Sequence, residues 1–141
     1  MLKKIFAFAI LISIISVFNV SYADYPQYLN GNRNFILYDG HMGEGRYVDA
    51  SSLNSEVYSP PQYVISIDIV SVPDADRGKI NISSRSKVQF FYDLNDHHVY
   101  VRTATGIRIL NPNGTRASGA NLVRAAEIAF ELAYKIKFNA R

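Results

Sequence analysis

The stretch ANLVRAAEIAFELAYKIKF, residues 120–138, carries the clearest helical pattern in the chain. Asn121, Arg124, Glu127, Glu131 and Lys135 recur three or four residues apart, so on a helix they make one polar stripe. The rest of that helix is apolar, with Leu122, Val123, Ile128, Phe130 and Leu132 interleaved with Ala125, Ala126, Ala129 and Ala133. A helix with so narrow a polar stripe needs a broad apolar partner. The alanines let its backbone come close to a sheet. The spacing therefore predicts a core helix over 120–138, with Ser118 or Asn121 offering the N-cap oxygen and Lys135, Lys137 and Arg141 beside the C-terminal end of the dipole. Asn111-Pro112-Asn113-Gly114 marks the turn before it.

The partner is upstream. From Gln62 to Val72 the chain alternates with a period of two, placing Tyr63, Ile65, Ile67 and Ile69 on one face and a mixed set on the other. Val88–Asp93 and His98–Thr103 read as a hairpin closed by Leu94-Asn95-Asp96-His97. Burying Val88, Phe90 and Tyr92 together with Val99, Val101 and Thr103 fixes its register: 92 opposite 99, 90 opposite 101. Asp93 then faces His98 as a cross-strand charged pair. Ile107–Leu110 adds a short last strand. Phe35–Tyr38 and Arg46–Asp49 read as an earlier hairpin, joined by a mobile glycine-rich loop, Asp39–Gly45. Asp49 or Ser51 is expected to cap one helical turn at Ala50–Leu53, and Ser59-Pro60-Pro61 punctuates the chain. The fold class expected is α+β: an antiparallel sheet of about five strands, packed on one face by the long C-terminal helix.

The chain opens with Lys3-Lys4, an apolar run from Ile5 to Phe18, and Ser21-Tyr22-Ala23. This is the pattern of a cleaved signal peptide over residues 1–23, leaving residues 24–141 as a single globular domain. The run is shorter than the roughly twenty residues that span a bilayer, so no integral membrane segment is expected after cleavage. Cleavage removes two of the 15 basic residues and none of the 12 acidic ones, so the net charge falls from +3 to +1. No Lys/Arg cluster survives to support nucleic-acid binding. The chain has no cysteine, which excludes a disulfide framework and thiolate chemistry.

Three segments resemble a group of small exported bacterial proteins of the surface-adhesin protein E type. These are Tyr47-Val48-Asp49-Ala50-Ser51-Ser52-Leu53, the strand from Tyr63 to Val72, and the pair Phe90-Phe91-Tyr92-Asp93 and Val99-Tyr100-Val101-Arg102. Relatives in that group often carry cysteines, which this chain lacks, and the long C-terminal helix is not a feature of the adhesin. The resemblance implies a helix-backed antiparallel sheet and envelope binding, and it transfers no ligand-binding residue.

Candidates for chemistry are few. His97 and His98, with Asp93 and Asp96, make the one cluster of metal-ligand types, suited to zinc if the turn brings them together. Neighbouring strand residues point to opposite faces, which opposes that convergence. His41, Glu44 and Arg46 around the glycine loop form a second polar group. Asp74-Ala75-Asp76-Arg77-Gly78 starts like a calcium loop, but Arg85 stands where the closing glutamate belongs. There is no phosphate loop and no nucleophile elbow. Nine of the ten tyrosines lie beyond residue 23, a composition suited both to strands and to a binding patch.

The reading is an exported, non-catalytic envelope or surface protein without a cofactor. It would sit in the periplasm, on the cell surface or outside the cell, and bind an envelope or host-surface partner. The alternative is a small metal-binding protein or hydrolase built on the His97/His98 hairpin.

Overall fold

A computed structural model describes residues 24–141; the proposed signal peptide and its cleavage after Ala23 lie outside the described residues. The strands are β1 (Phe35–His41), β2 (Glu44–Ser59), β3 (Gln62–Val72), β4 (Ser84–Asp93), β5 (His98–Thr103) and β6 (Gly106–Ile109). They form one six-stranded antiparallel sheet in the order β1-β2-β3-β4-β5-β6, every strand beside its sequence neighbour. The helix α1 (Ala120–Tyr134) packs on one face, nearest β1 and β2. That is the expected α+β architecture, with one strand more than expected.

The faces follow from the alternations. Tyr63, Ile65 and Ile67 of β3, Phe90 and Tyr92 of β4, and Val99 and Val101 of β5 are buried on the inner face. They pack with Val123, Ala125, Ala126, Ile128, Ala129 and Phe130 of α1 in the main core. The β4–β5 register holds as reasoned, with Phe90 opposite Val101, Phe91 opposite Tyr100, Tyr92 opposite Val99 and Asp93 opposite His98.

The helix ends earlier than expected. Lys135 takes a left-handed conformation (φ 58°) and stops α1 after Tyr134. Phe138 is nevertheless buried, because the chain folds back and sets its ring 5.2 Å from that of Tyr92 and 5.3 Å from that of Phe130. The backbone N–H of Arg141 then donates to the His97 carbonyl at 3.0 Å, tying the tail to the β4–β5 turn. Gly119 stands at the N-cap, and no side chain caps α1, so neither Ser118 nor Asn121 has the expected role.

Two further expectations are corrected. The β1–β2 connection is a two-residue turn, with His41 opposite Glu44 and Gly40 opposite Gly45. Met42 and Gly43 both have positive φ, as a primed hairpin turn requires. Gly40 and Gly45 are strand positions where a side chain would collide: a Cβ would come 2.5 Å from the Tyr25 ring at Gly40 and 2.8 Å from Ala75 Cβ at Gly45. Ala50–Leu53 is not helical but lies inside β2, where the pairing with β3 is irregular between Asp49 and Asn54. The Asp49 carboxylate does accept from the Ser51 N–H at 3.0 Å, the bond a helix cap would make, but here it shapes a bulge.

Candidate functional site

The sheet's outer face, away from α1, divides into two regions. Over β1–β3 it carries a small second core of Leu29, Tyr47, Val70, Val72 and Ala75, with Tyr25, Phe35 and Leu37 packed against it. The segment before β1 supplies much of this cover, and the short turn Ala75–Arg77 after β3 adds Ala75. The Tyr47 hydroxyl donates to the Pro26 carbonyl at 3.1 Å, and the Gly43 N–H donates to the Tyr25 hydroxyl at 2.8 Å. Along the β1 edge the Leu37 N–H donates to the Gln27 carbonyl at 2.9 Å, so the chain's own lead-in covers part of that edge.

Over β3–β6 nothing among the described residues covers the face. Register places Val57 opposite Val64, Val64 opposite Phe91, Phe91 opposite Tyr100, and Tyr100 opposite Ile109. The result is an apolar row crossing five strands. Val64, Phe91 and Tyr100 are half-buried, while Val57 and Ile109 are 43% and 45% exposed. An open depression of about 350 Å³ lies along the row between Val57, Val64, Phe91, Asp93 and Tyr100.

A polar ladder runs beside it. The Gln89 amide donates to the Glu56 carboxylate, and Arg102 Nε donates to Gln89 Oε1 at 2.6 Å. The Arg102 guanidinium also lies 5.3 Å over the Phe91 ring. Hydrogen bonds from Ser66, and next from Gln89, hold the Glu56 carboxyl below its ordinary pKa. The open region is thus an aromatic and aliphatic strip edged by one cation stacked on a ring, a composition found at the centres of protein interfaces.

A second polar group separates the two regions. Arg85 bridges Asp49 at 2.7 Å and Asp68 at 3.3 Å, and Ser51 Oγ donates to Asp49 at 2.5 Å. Burial pushes the Asp49 carboxyl up, but the bonds from Ser51 and Arg85 outweigh it and leave its pKa lowered. Ser52 Oγ donates to the Asp49 carbonyl and accepts from the Asp68 N–H, both at 2.7 Å, so hydroxyls fill the space the bulge opens.

The sequence-derived candidates are placed as follows. His98 Nδ1 lies 3.1 Å from Asp96, whose other oxygen accepts the His98 N–H at 2.8 Å. Asp93 accepts the Asn95 N–H at 2.9 Å, so this carboxylate shapes the turn instead of making the expected charged pair with His98. His97, with φ 59°, turns the other way, its ring 5.8 Å from that of Phe138. Among the described residues no three His, Asp or Glu side chains converge as metal ligands would. Around the first hairpin, Arg46 pairs with Glu44 at 3.1 Å and Arg116 with Asp39, while His41 is exposed and outside these pairs. Burial pushes the neighbouring Tyr38 hydroxyl up to about 12, with Arg46 pulling the other way.

Sequence reasoning missed the open row. Its residues come one each from β2, β3, β4, β5 and β6, and which ones share a line across strands depends on four registers at once. Among the described residues no helix is long and apolar enough to cross a membrane. No family model matches the chain, and neither the curated proteins nor the solved structures contain a match.

Proposed function

We propose that this chain is an exported, non-catalytic binding protein of the bacterial envelope or surface, and that it meets its partner through the open half of the outer face. The observation that carries this reading is the uncovered row Val57, Val64, Phe91, Tyr100 and Ile109 with Arg102 stacked beside it. An apolar strip left bare by a chain that covers the other half of the same face is the mark of an interaction surface. Support for export comes from Lys3-Lys4, the apolar run and Ser21-Tyr22-Ala23. The resemblance to exported proteins of the surface-adhesin protein E type points to the same compartment.

Affinity capture from envelope and host-surface extracts tests the reading. The Phe91→Ser/Tyr100→Ser protein should keep its fold and lose the captured partner. Capture unchanged by this double substitution would overturn the role of the open face. The competing reading, a metal-binding protein or hydrolase using His97 and His98, is tested on the same sample. Stoichiometric zinc, lost in His97→Ala or His98→Ala, would favour it.

A further inference from the structure

The open row ends at β6, and β6 is an open edge. It pairs only with β5. The Leu110 N–H donates to the Val99 carbonyl at 2.9 Å, which makes 110 and 99 a hydrogen-bonded pair. Antiparallel pairs alternate, so Arg108 and Gly106 also bond to β5, while Ile107 and Ile109 direct their N–H and C=O groups outward. Both isoleucine side chains are about half exposed, on the same face as Tyr100. Neither a proline nor a bulge blunts this edge.

Charge says what fits there. From His97 to Ala126 the chain has no Asp or Glu, yet it carries Arg102, Arg108, Arg116 and Arg124. Arg116 pairs with Asp39, Arg124 with Glu127, and Arg102 bonds to Gln89 over Phe91. Arg108, exposed on β6 and lying beside Gly119, forms no salt bridge with any described carboxylate. A second copy is a poor occupant. In any antiparallel self-pairing that uses the free groups of Ile107 and Ile109, the two Arg108 side chains stand directly or diagonally opposite, and like charges there are unfavourable.

Building on the proposed binding role, we infer that the outer edge of β6 takes an extended segment of a partner protein as a seventh, antiparallel strand. Apolar residues of that segment face Ile107 and Ile109, and the residue between them is an Asp or Glu facing Arg108. Main-chain bonds supply the attachment, and the alternating apolar and acidic side chains supply the choice of partner.

Two synthetic peptides test this on the purified, isotope-labelled protein: acetyl-Thr-Thr-Val-Glu-Val-Thr-Thr-amide and the same peptide with Lys in place of Glu. The Glu peptide should shift the amide signals of residues 107–110 and bind about tenfold more tightly than the Lys peptide, the difference between an attractive and a repulsive cross-strand pair. Arg108→Glu should reverse that order. Ile109→Pro, which removes an outward N–H and no β5 bond, should weaken both peptides. No binding of the Glu peptide at millimolar concentration, or a preference unchanged by Arg108→Glu, would overturn the inference. So would a dimer in sedimentation that Ile109→Pro dissolves, since a second copy would then hold the edge. Partner capture lost in Phe91→Ser/Tyr100→Ser but kept in Arg108→Glu would remove the edge and leave the face reading standing.

Discussion

Over β1–β3 the outer face is sealed by the chain's own lead-in and the turn at Ala75, while over β3–β6 it stays bare. The sealed half has Tyr47, Val70, Val72 and Ala75 almost fully buried, with glycines at 40 and 45 so that Tyr25 and Ala75 can lie close. The open half has valine, phenylalanine, tyrosine and isoleucine in the same kind of alternation, with Val57, Ile107 and Ile109 exposed by 43–53%. Residue type alone does not separate the two. Register and cover do; under the function proposed above, the sealed half serves stability and the open half recognition.

Four measurements test that contrast. The largest effect belongs to neither outer half but to the inner face that both depend on. Ala129 is fully buried against the sheet, so Ala129→Arg places an unpaired charge in the core. It should cost about 4 kcal/mol or more and lower the melting temperature by at least about 10 °C in calorimetry. A shift of a degree or two would put Ala129 on the surface.

Next comes the sealed half. Val72 is fully buried there, and Val72→Ala should cost about 2 kcal/mol in urea unfolding. A neutral result would make the two halves energetically alike and dissolve the distinction.

The boundary between the halves should respond to acid. Asp49 has a lowered pKa in the folded protein. The folded state therefore binds its proton less readily than the unfolded chain. The stabilisation is complete above the unfolded value of about 3.9 and is lost as the pH falls through the folded value. Asp49→Asn should flatten stability against pH below about pH 4. An unchanged acid limb would show that the bulge does not depend on the carboxylate.

The smallest effect is expected in the open half. Phe91→Ser/Tyr100→Ser removes side chains that are only half-buried, so the loss in stability should stay near 1 kcal/mol per site while binding of an apolar dye falls. A loss on the scale of Val72→Ala would mean that this face is core after all.

Much of the inner face was legible in the sequence. β3 runs from Gln62 to Val72 as its alternation required, and the β4–β5 register follows from burying two sets of side chains together. The inner stripe of α1 was equally plain, because strong amphipathic patterns survive any tertiary context. The failures have physical causes. The second half of β2, from Ala50 to Ser59, buries little, and its ladder with β3 holds it extended; polar sequence without burial leaves no period to read. Met42 in a positive-φ turn hid the tight β1–β2 hairpin, since Asn or Asp usually marks that position. At the His97/His98 turn the residue types were visible, but the use of Asp93 and Asp96 to accept backbone N–H groups was not.

The sequential strand order bears on the route by which the chain folds. Each strand finds its partner next to it along the chain, so hairpins can zip one after another with short loop closures. The inner face gains its cover only when α1 arrives, and the ring of Phe138 meets Tyr92 across 46 residues of chain. A zipped but uncovered meander would show Tyr63, Ile65, Phe90 and Tyr92 to solvent until the last twenty or so residues close over it.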